Sequence, residues 1–168
     1  MGAPEHRTSA ESVGPVAYAV LTVSDSRTEA TDESGRLIQR LCDEAGHRLV
    51  DYEVVQNEPW RVRTAVRRFL QGPGQCLFVT GGTGAGRRDL TIETVTPLLE
   101  KVLPGFGELF RMLSYEEVGG AALLSRALCG VSQGKLVCCL PGSDAAVRLA
   151  LAKLLLPELP HLIWVATR

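Results

Sequence analysis

The chain is expected to fold as a single three-layer α/β/α domain with a mostly parallel sheet, and three observations lead there. Short apolar runs alternate along the chain with longer stretches of helical periodicity. Strands that are apolar throughout are buried on both faces, as in a parallel sheet covered by helices. The loops rich in glycine or polar residues follow strands: Ser24-Asp25, Gly81 to Gly84, and Pro141-Gly142-Ser143. In open parallel sheets the ligand crevice lies at that edge, beyond the carboxyl ends of the strands.

The elements follow in order. The polar segment 1–14 lacks an apolar core of the signal-peptide kind and reads as a disordered tail, leaving 15–168 as the domain. Val16 to Val23 is a continuous apolar strand. Ser34 is a candidate N-cap for a helix with Leu37, Ile38, Leu41 and Ala45 on one face, and Gly46 closes it in the left-handed conformation. Arg48 to Val55 is a second strand, and Asn57-Glu58-Pro59 opens a helix from Trp60 to Leu70. Cys76 to Thr80 is a third strand, running into Gly81-Gly82-Thr83-Gly84-Ala85-Gly86-Arg87-Arg88-Asp89. Thr91 is expected to cap a helix from Ile92 to Leu103. Pro104-Gly105-Phe106-Gly107 reads as a break before a mixed segment through Tyr115, with Leu123 to Leu128 helical. Lys135 to Leu140 is the last strand, and Ser143 or Asp144 caps an apolar helix from Ala145 to Leu156.

The glycine segment carries the most chemistry. Glycines bring backbone N–H groups close to a ligand, and such groups cradle phosphate. Two arginines and a carboxylate follow, side chains that grip phosphate and hold a divalent cation. The segment is not a P-loop, because no Gly-Lys-Ser/Thr follows. Nor is it a dinucleotide fingerprint, because Arg87 stands where the third glycine belongs. A plain turn explains Gly81-Gly82 alone but not the whole run.

Composition narrows the classes. A formal net charge of −1 leaves no nucleic-acid footprint. Arg61, Arg63, Arg67 and Arg68 alternate with Val62, Val66, Phe69 and Leu70 as the solvated face of an amphipathic helix. No run of eighteen apolar residues occurs, so no membrane partner is expected. Five cysteines without a Cys-x-x-Cys pair point to a reducing, cytoplasmic setting. Three scattered histidines form neither a zinc site nor a catalytic dyad.

Over about residues 16 to 165 the chain resembles the MoaB/MogA family of molybdenum cofactor biosynthesis. The resemblance rests on Leu21 to Asp25, on Thr80 to Gly84 with Arg88, Asp89 and Thr91, and on Pro104 to Glu108. It continues through Ser114 to Gly119, Leu124 to Ala127 and Leu140 to Ser143. The Ser-Tyr-Glu-Glu-Val-Gly segment and the Leu-Pro-Glu-Leu-Pro-His ending place it nearer the MoaB branch. The resemblance implies a molybdopterin-binding fold and a homotrimer or homohexamer, with other cofactor-biosynthesis proteins as partners. It also implies a reaction, in which the terminal phosphate of molybdopterin attacks the α-phosphorus of ATP in the presence of Mg²⁺ and pyrophosphate leaves. Carried over by position, Gly81, Gly82, Thr83 and Gly84 bind phosphate or pterin, and Ser24 and Asp25 line the same crevice. Ser125, Arg126, Pro141, Gly142 and Ser143 complete the pocket. Asp89 holds Mg²⁺ and Arg88 contacts phosphate or orients Asp89. Simpler readings stay open for two of these, a surface ion pair for Asp89 and a helix-end charge for Arg126.

One position departs from the family pattern. Adenylylating members carry an aspartate where this chain has Asn57, with Glu58 one residue on. An amide is a poorer Mg²⁺ ligand than a carboxylate, and Asn57 also suits a helix N-cap. The alternative to an adenylyltransferase is therefore a non-catalytic pterin carrier of the same fold. A general nucleotide-binding regulatory module is a third reading.

Overall fold

The computed structural model describes residues 14–168, so the tail expected over 1–14 lies, except for Gly14, outside the described residues. One six-stranded sheet organises the chain, in the order β2-β1-β3-β6-β5-β4. Its strands are β1 (Ala17–Val23), β2 (Arg48–Val55), β3 (Cys76–Thr80), β4 (Lys101–Val102), β5 (Leu128–Ser132) and β6 (Lys135–Leu140). The pairs β2-β1, β1-β3 and β3-β6 are parallel, whereas β5 runs antiparallel to both β6 and β4. The sheet is thus mostly parallel with an antiparallel edge.

The inner parallel strands β1, β3 and β6 are largely apolar because each serves two cores, whereas β2, at the parallel edge, carries Arg48, Asp51 and Glu53. On one face Val16, Tyr18, Val20, Phe78, Leu136, Cys138 and Leu140 meet α1 (Glu33–Glu44), α4 (Pro104–Val118) and α5 (Asp144–Leu149). On the other, Ala19, Leu21, Val23, Leu77, Val79, Val137 and Cys139 meet α2 (Pro59–Gln71) and α3 (Thr91–Val95). Alternate residues of one strand point to opposite faces, so only an unbroken apolar run can fill both layers. All five thiols are buried and unpaired.

Several expectations are corrected. Asp32, not Ser34, caps α1: its carboxylate accepts from the Gly35 N–H at 3.0 Å, and it also receives the Thr22 and Tyr52 hydroxyls at 2.6 and 2.7 Å. The helix expected from Ile92 to Leu103 ends at Val95, followed by a 3₁₀ turn, Thr96–Leu98, that takes up Pro97. The chain beyond it is drawn into the sheet, with the Glu100 N–H donating to the Val131 carbonyl and Leu103 to Cys129. Pro104 to Gly107 is no break but the first turn of α4, with proline at a position that has no helical N–H to lose. Leu123 to Leu128 is not an α-helix; a 3₁₀ segment, Gly119–Leu124, leads instead toward β5. β5 and β6 form a hairpin through Gln133 and Gly134, both at positive φ, the geometry of a two-residue turn. Ser143 provides the cap of α5, accepting from the Ala146 N–H. The helical run then passes through a π-helical stretch, Ala150–Leu155, and a 3₁₀ turn to α6 (Leu159–Ala166).

That run, Asp144–Ala166, is the one helix among the described residues long and apolar enough to cross a membrane. Its Val147, Leu149, Ala150, Leu151, Leu155, Leu159 and Ile163 belong to the core, which accounts for its apolar character.

Candidate functional site

The strand order reverses between β1 and β3, and the loops beyond β1, β3 and β6 converge there. Two cavities open at this edge. The larger, about 450 Å³, is lined by Gly81, Gly82, Thr83, Gly84, Asp89, Ser125, Arg126, Pro141, Gly142 and Ser143. Residues from four separated stretches of sequence are therefore brought together. The smaller cavity, about 220 Å³, lies on the far flank of Gly81 and Gly142 and takes in Ser24, Arg27 and Ser34. Ser24 thus faces the smaller cavity, and its hydroxyl accepts from the Ser26 and Arg27 N–H groups, which shapes its own loop.

The glycine loop is shaped by contacts at its base. Gly81 and Gly82 hold φ of 90° and 63°. A side chain at Gly81 would run into the Val23 carbonyl at 2.3 Å, and one at Gly82 into the Thr91 hydroxyl at 2.4 Å. Glycine is required at both positions because neighbouring backbone and Thr91 fill the space. Thr91 is therefore no N-cap: its hydroxyl donates to the Gly81 carbonyl at 2.9 Å and its N–H to Gly82 at 3.0 Å.

Beyond this base, Asp89 folds back over the loop. Its carboxylate accepts from the Gly86 N–H at 3.0 Å, and a side chain at Gly84 would lie 2.6 Å from the same oxygen. Arg88 points away from Asp89, to the Asp25 carboxylate at 2.7 Å. The other Asp25 oxygen accepts from the Asn57 N–H at 3.0 Å. The Asn57 side-chain amide in turn donates to the Arg88 carbonyl, and its oxygen faces Gly82. Asn57 therefore does not cap α2. That position belongs to Glu58, which makes no side-chain cap bond and pairs with Arg61 at 3.2 Å. Asn57 stands beside the glycine loop, but Asp25, Asn57 and Glu58 line neither cavity.

Among the described residues no three His, Cys, Asp or Glu side chains group as a metal cage. The Asp89 carboxylate, in the lining of the larger cavity, suits a cation of another kind. Mg²⁺ is commonly bound by one or two protein oxygens, with waters and substrate phosphates supplying the rest. One cavity-lining carboxylate fits a metal that arrives with phosphates.

The crevice also has walls that were not read from the sequence. Phe110, Ser114, Glu117 and Val118 contribute from α4, and Ala145, Ala146 and Leu149 from α5. The helical spacing of Phe110, Ser114 and Val118 was the available signal, obscured by the misread break at Pro104. Most of the lining is apolar, which suits a flat heterocycle beside the N–H-rich loop. The Ser125 hydroxyl, also in the wall, is buried without a hydrogen-bond partner. Such a group is costly to leave unpaired, and a polar ligand atom would satisfy it.

A mostly parallel sheet covered by helices on both faces, with an apolar-walled crevice and a glycine loop at its switch point, is the architecture of a small-molecule-binding α/β protein. The sequence pattern described as "Probable molybdopterin binding domain" matches residues 19–161, and the chain belongs to that molybdenum cofactor biosynthesis family. It is 46% identical over 165 residues to molybdenum cofactor biosynthesis protein B of Bacillus subtilis (strain 168), covering 97% of this chain and 96% of the relative. A crystal structure of a molybdenum cofactor biosynthesis protein B superposes with a TM-score of 0.88 at 45% identity, over 90% of this chain and 96% of that one. The tungsten cofactor synthesizing protein MoaB from Pyrococcus furiosus gives 0.83 at 36% identity, over 92% and 98%.

Proposed function

We propose that the chain binds molybdopterin in the larger crevice and adenylylates its terminal phosphate with ATP. The observation that carries this reading is the convergence of the glycine loop, Asp89, Ser125 and the Pro141-Gly142-Ser143 turn on one apolar-walled cavity. The cavity is large enough for a heterocyclic ligand. In the reaction a phosphate oxygen of the pterin forms a bond to the α-phosphorus of ATP. The bond from that phosphorus to the bridging oxygen breaks, and pyrophosphate leaves with the electron pair.

Such a transfer calls for in-line placement of two anions and relief of their repulsion. Loop N–H groups at Thr83 and Gly84 offer dipoles to phosphate, Ser125 offers its unpartnered hydroxyl, and the α4 and α5 walls exclude water. Mg²⁺, when bound with the nucleotide, supplies neutralisation of charge on the phosphates, and Asp89 with Asn57 are the residues that would hold it.

Incubation with molybdopterin, ATP and Mg²⁺, followed by assay of pyrophosphate and adenylylated pterin, tests the reading. Asp89→Ala is expected to abolish turnover while pterin affinity stays within a few-fold. Pterin binding without any pyrophosphate release by the unmutated chain would establish the carrier reading instead. That second reading is favoured by Asn57, whose amide is spent on the Arg88 carbonyl.

The same proposal includes self-association as a trimer or a hexamer. Leu109, Met112, Tyr115 and Val118 recur every third residue of α4 and are all exposed, more apolar surface than a lone helix face ordinarily presents. Sedimentation equilibrium reads the assembly directly, and a monomer at micromolar concentration would remove this part. The five buried, unpaired thiols support a reducing, cytoplasmic setting.

A further inference from the structure

The Arg126 guanidinium, a predicted ligand contact, is occupied by protein. Its Nε donates to the Thr83 carbonyl at 3.1 Å and its Nη2 to the Asp89 carbonyl, also at 3.1 Å. Both terminal nitrogens meet the Glu93 carboxylate on α3, one of them at 3.2 Å. The two carbonyls bracket the stretch 84–88, of which 85–88 is exposed. Within that stretch Gly86 and Asp89 bond each other, and Arg88 is tied outward, its carbonyl to the Asn57 amide and its guanidinium to Asp25. Thr91 secures the loop at its base and Asn57 and Asp25 hold Arg88, while Arg126 bonds both the Thr83 and the Asp89 limb.

We propose that Arg126, held by Glu93, is a positioning residue that locks the Thr83–Asp89 loop and so aims the Asp89 carboxylate. The effect on turnover rests on the adenylyltransferase reading above; the effect on the loop does not. The planar fork is what the job requires, since three acceptors in different directions are met at once by a rigid set of five donors. A lysine ammonium at the same place could satisfy Glu93 or one carbonyl, but not the whole bracket. The contact also keeps the Glu93 carboxyl below its ordinary value, chiefly through the hydrogen bond from Arg126, so the anchor is charged at neutral pH.

The test compares the full chain with Arg126→Ala, Arg126→Lys and Glu93→Gln. Native-state hydrogen exchange is read first, without ligand. Amides of 83–90 should exchange roughly tenfold faster in Arg126→Ala and by an intermediate factor in Arg126→Lys, with β1 and β3 unchanged, because only a local opening becomes easier. Molybdopterin affinity and kcat are read next. Affinity should stay within a few-fold, while kcat falls on the order of a hundredfold, the penalty of a misplaced group rather than of a lost contact. If Arg126→Ala does not fold, Arg126→Lys and Glu93→Gln give the same readouts. Unchanged loop exchange overturns the proposal, as does a loss of affinity with kcat intact, which would make Arg126 a ligand contact. Should the unmutated chain show no turnover, the adenylyltransferase reading falls, and the exchange data still decide the brace.

Discussion

Replacing Asn57 with aspartate changes one atom type at the centre of the cluster, and its effect should reverse sign with the metal. Without metal, the amide N–H that donates to the Arg88 carbonyl is lost. A carboxylate oxygen then faces that carbonyl, close to the Asp25 carboxylate that already accepts from the Asn57 backbone. The lost hydrogen bond costs about 1 kcal/mol. Repulsion at this partly exposed position adds roughly another half, for a fall in Tm of about 3–6 °C. With Mg²⁺ and nucleotide present, the new charge meets a divalent cation, a contact worth on the order of 1–3 kcal/mol, or about five- to a hundredfold in apparent Mg²⁺ affinity. Thermal unfolding in chelator and in Mg²⁺-ATP, together with a titration of rate against Mg²⁺, reads both halves. An unchanged Tm in chelator with superimposable Mg²⁺ curves would refute the reasoning and take Asn57 out of the site.

Other consequences are as direct. Gly82→Ala should destabilise the domain by about 2 kcal/mol, since φ is 63° and the new carbon meets the Thr91 hydroxyl at 2.4 Å; a denaturation midpoint equal to the unmutated chain's would contradict the loop geometry. Asp32→Ala strands the Thr22 and Tyr52 hydroxyls and uncaps α1. A loss of roughly 3 kcal/mol is expected by urea unfolding, and a loss under 1 kcal/mol would count against the buried network. The Tyr18 and Tyr52 phenols are both raised well above the usual tyrosine range, first by burial and then by donating to Asp43 and Asp32. Because the folded values exceed the unfolded value of about 10, their contribution to stability is complete below that pH and is lost as pH climbs toward the folded values. Their tyrosinate absorbance should appear only with unfolding. Reversible native titration of either near pH 10, identified with Tyr18→Phe and Tyr52→Phe, would disprove the burial argument.

The sequence by itself determined the layered α/β architecture, the four parallel strands and the edge of the sheet where the glycine-rich and polar loops gather. The reason is local. A strand buried on both faces must be apolar at every position, so β1, β3 and β6 announce themselves, and β2 is bounded clearly by Gly46 and Asn57-Glu58-Pro59. The antiparallel edge was not legible in the same way. β4 is two residues long, and its pairing with β5 is made by a chain that Pro97 has just released from a helix. The Gln133-Gly134 turn was a usable hairpin signal that was passed over.

Tertiary structure alone decided which side chains face the cavity and which face each other. Asp32 became the cap of α1 because Thr22 and Tyr52, from two neighbouring strands, converge on it. Asn57 left the helix-capping role because the Arg88 carbonyl and the Asp25 carboxylate, both distant in sequence, engage it first. Arg126 shares no local pattern with Thr83, Asp89 or Glu93; only the packing of the chain before β5 against the glycine loop brings its fork to their oxygens. Local periodicity records what a residue buries, whereas the partner of a charged or amide side chain depends on contacts that no spacing along the chain encodes.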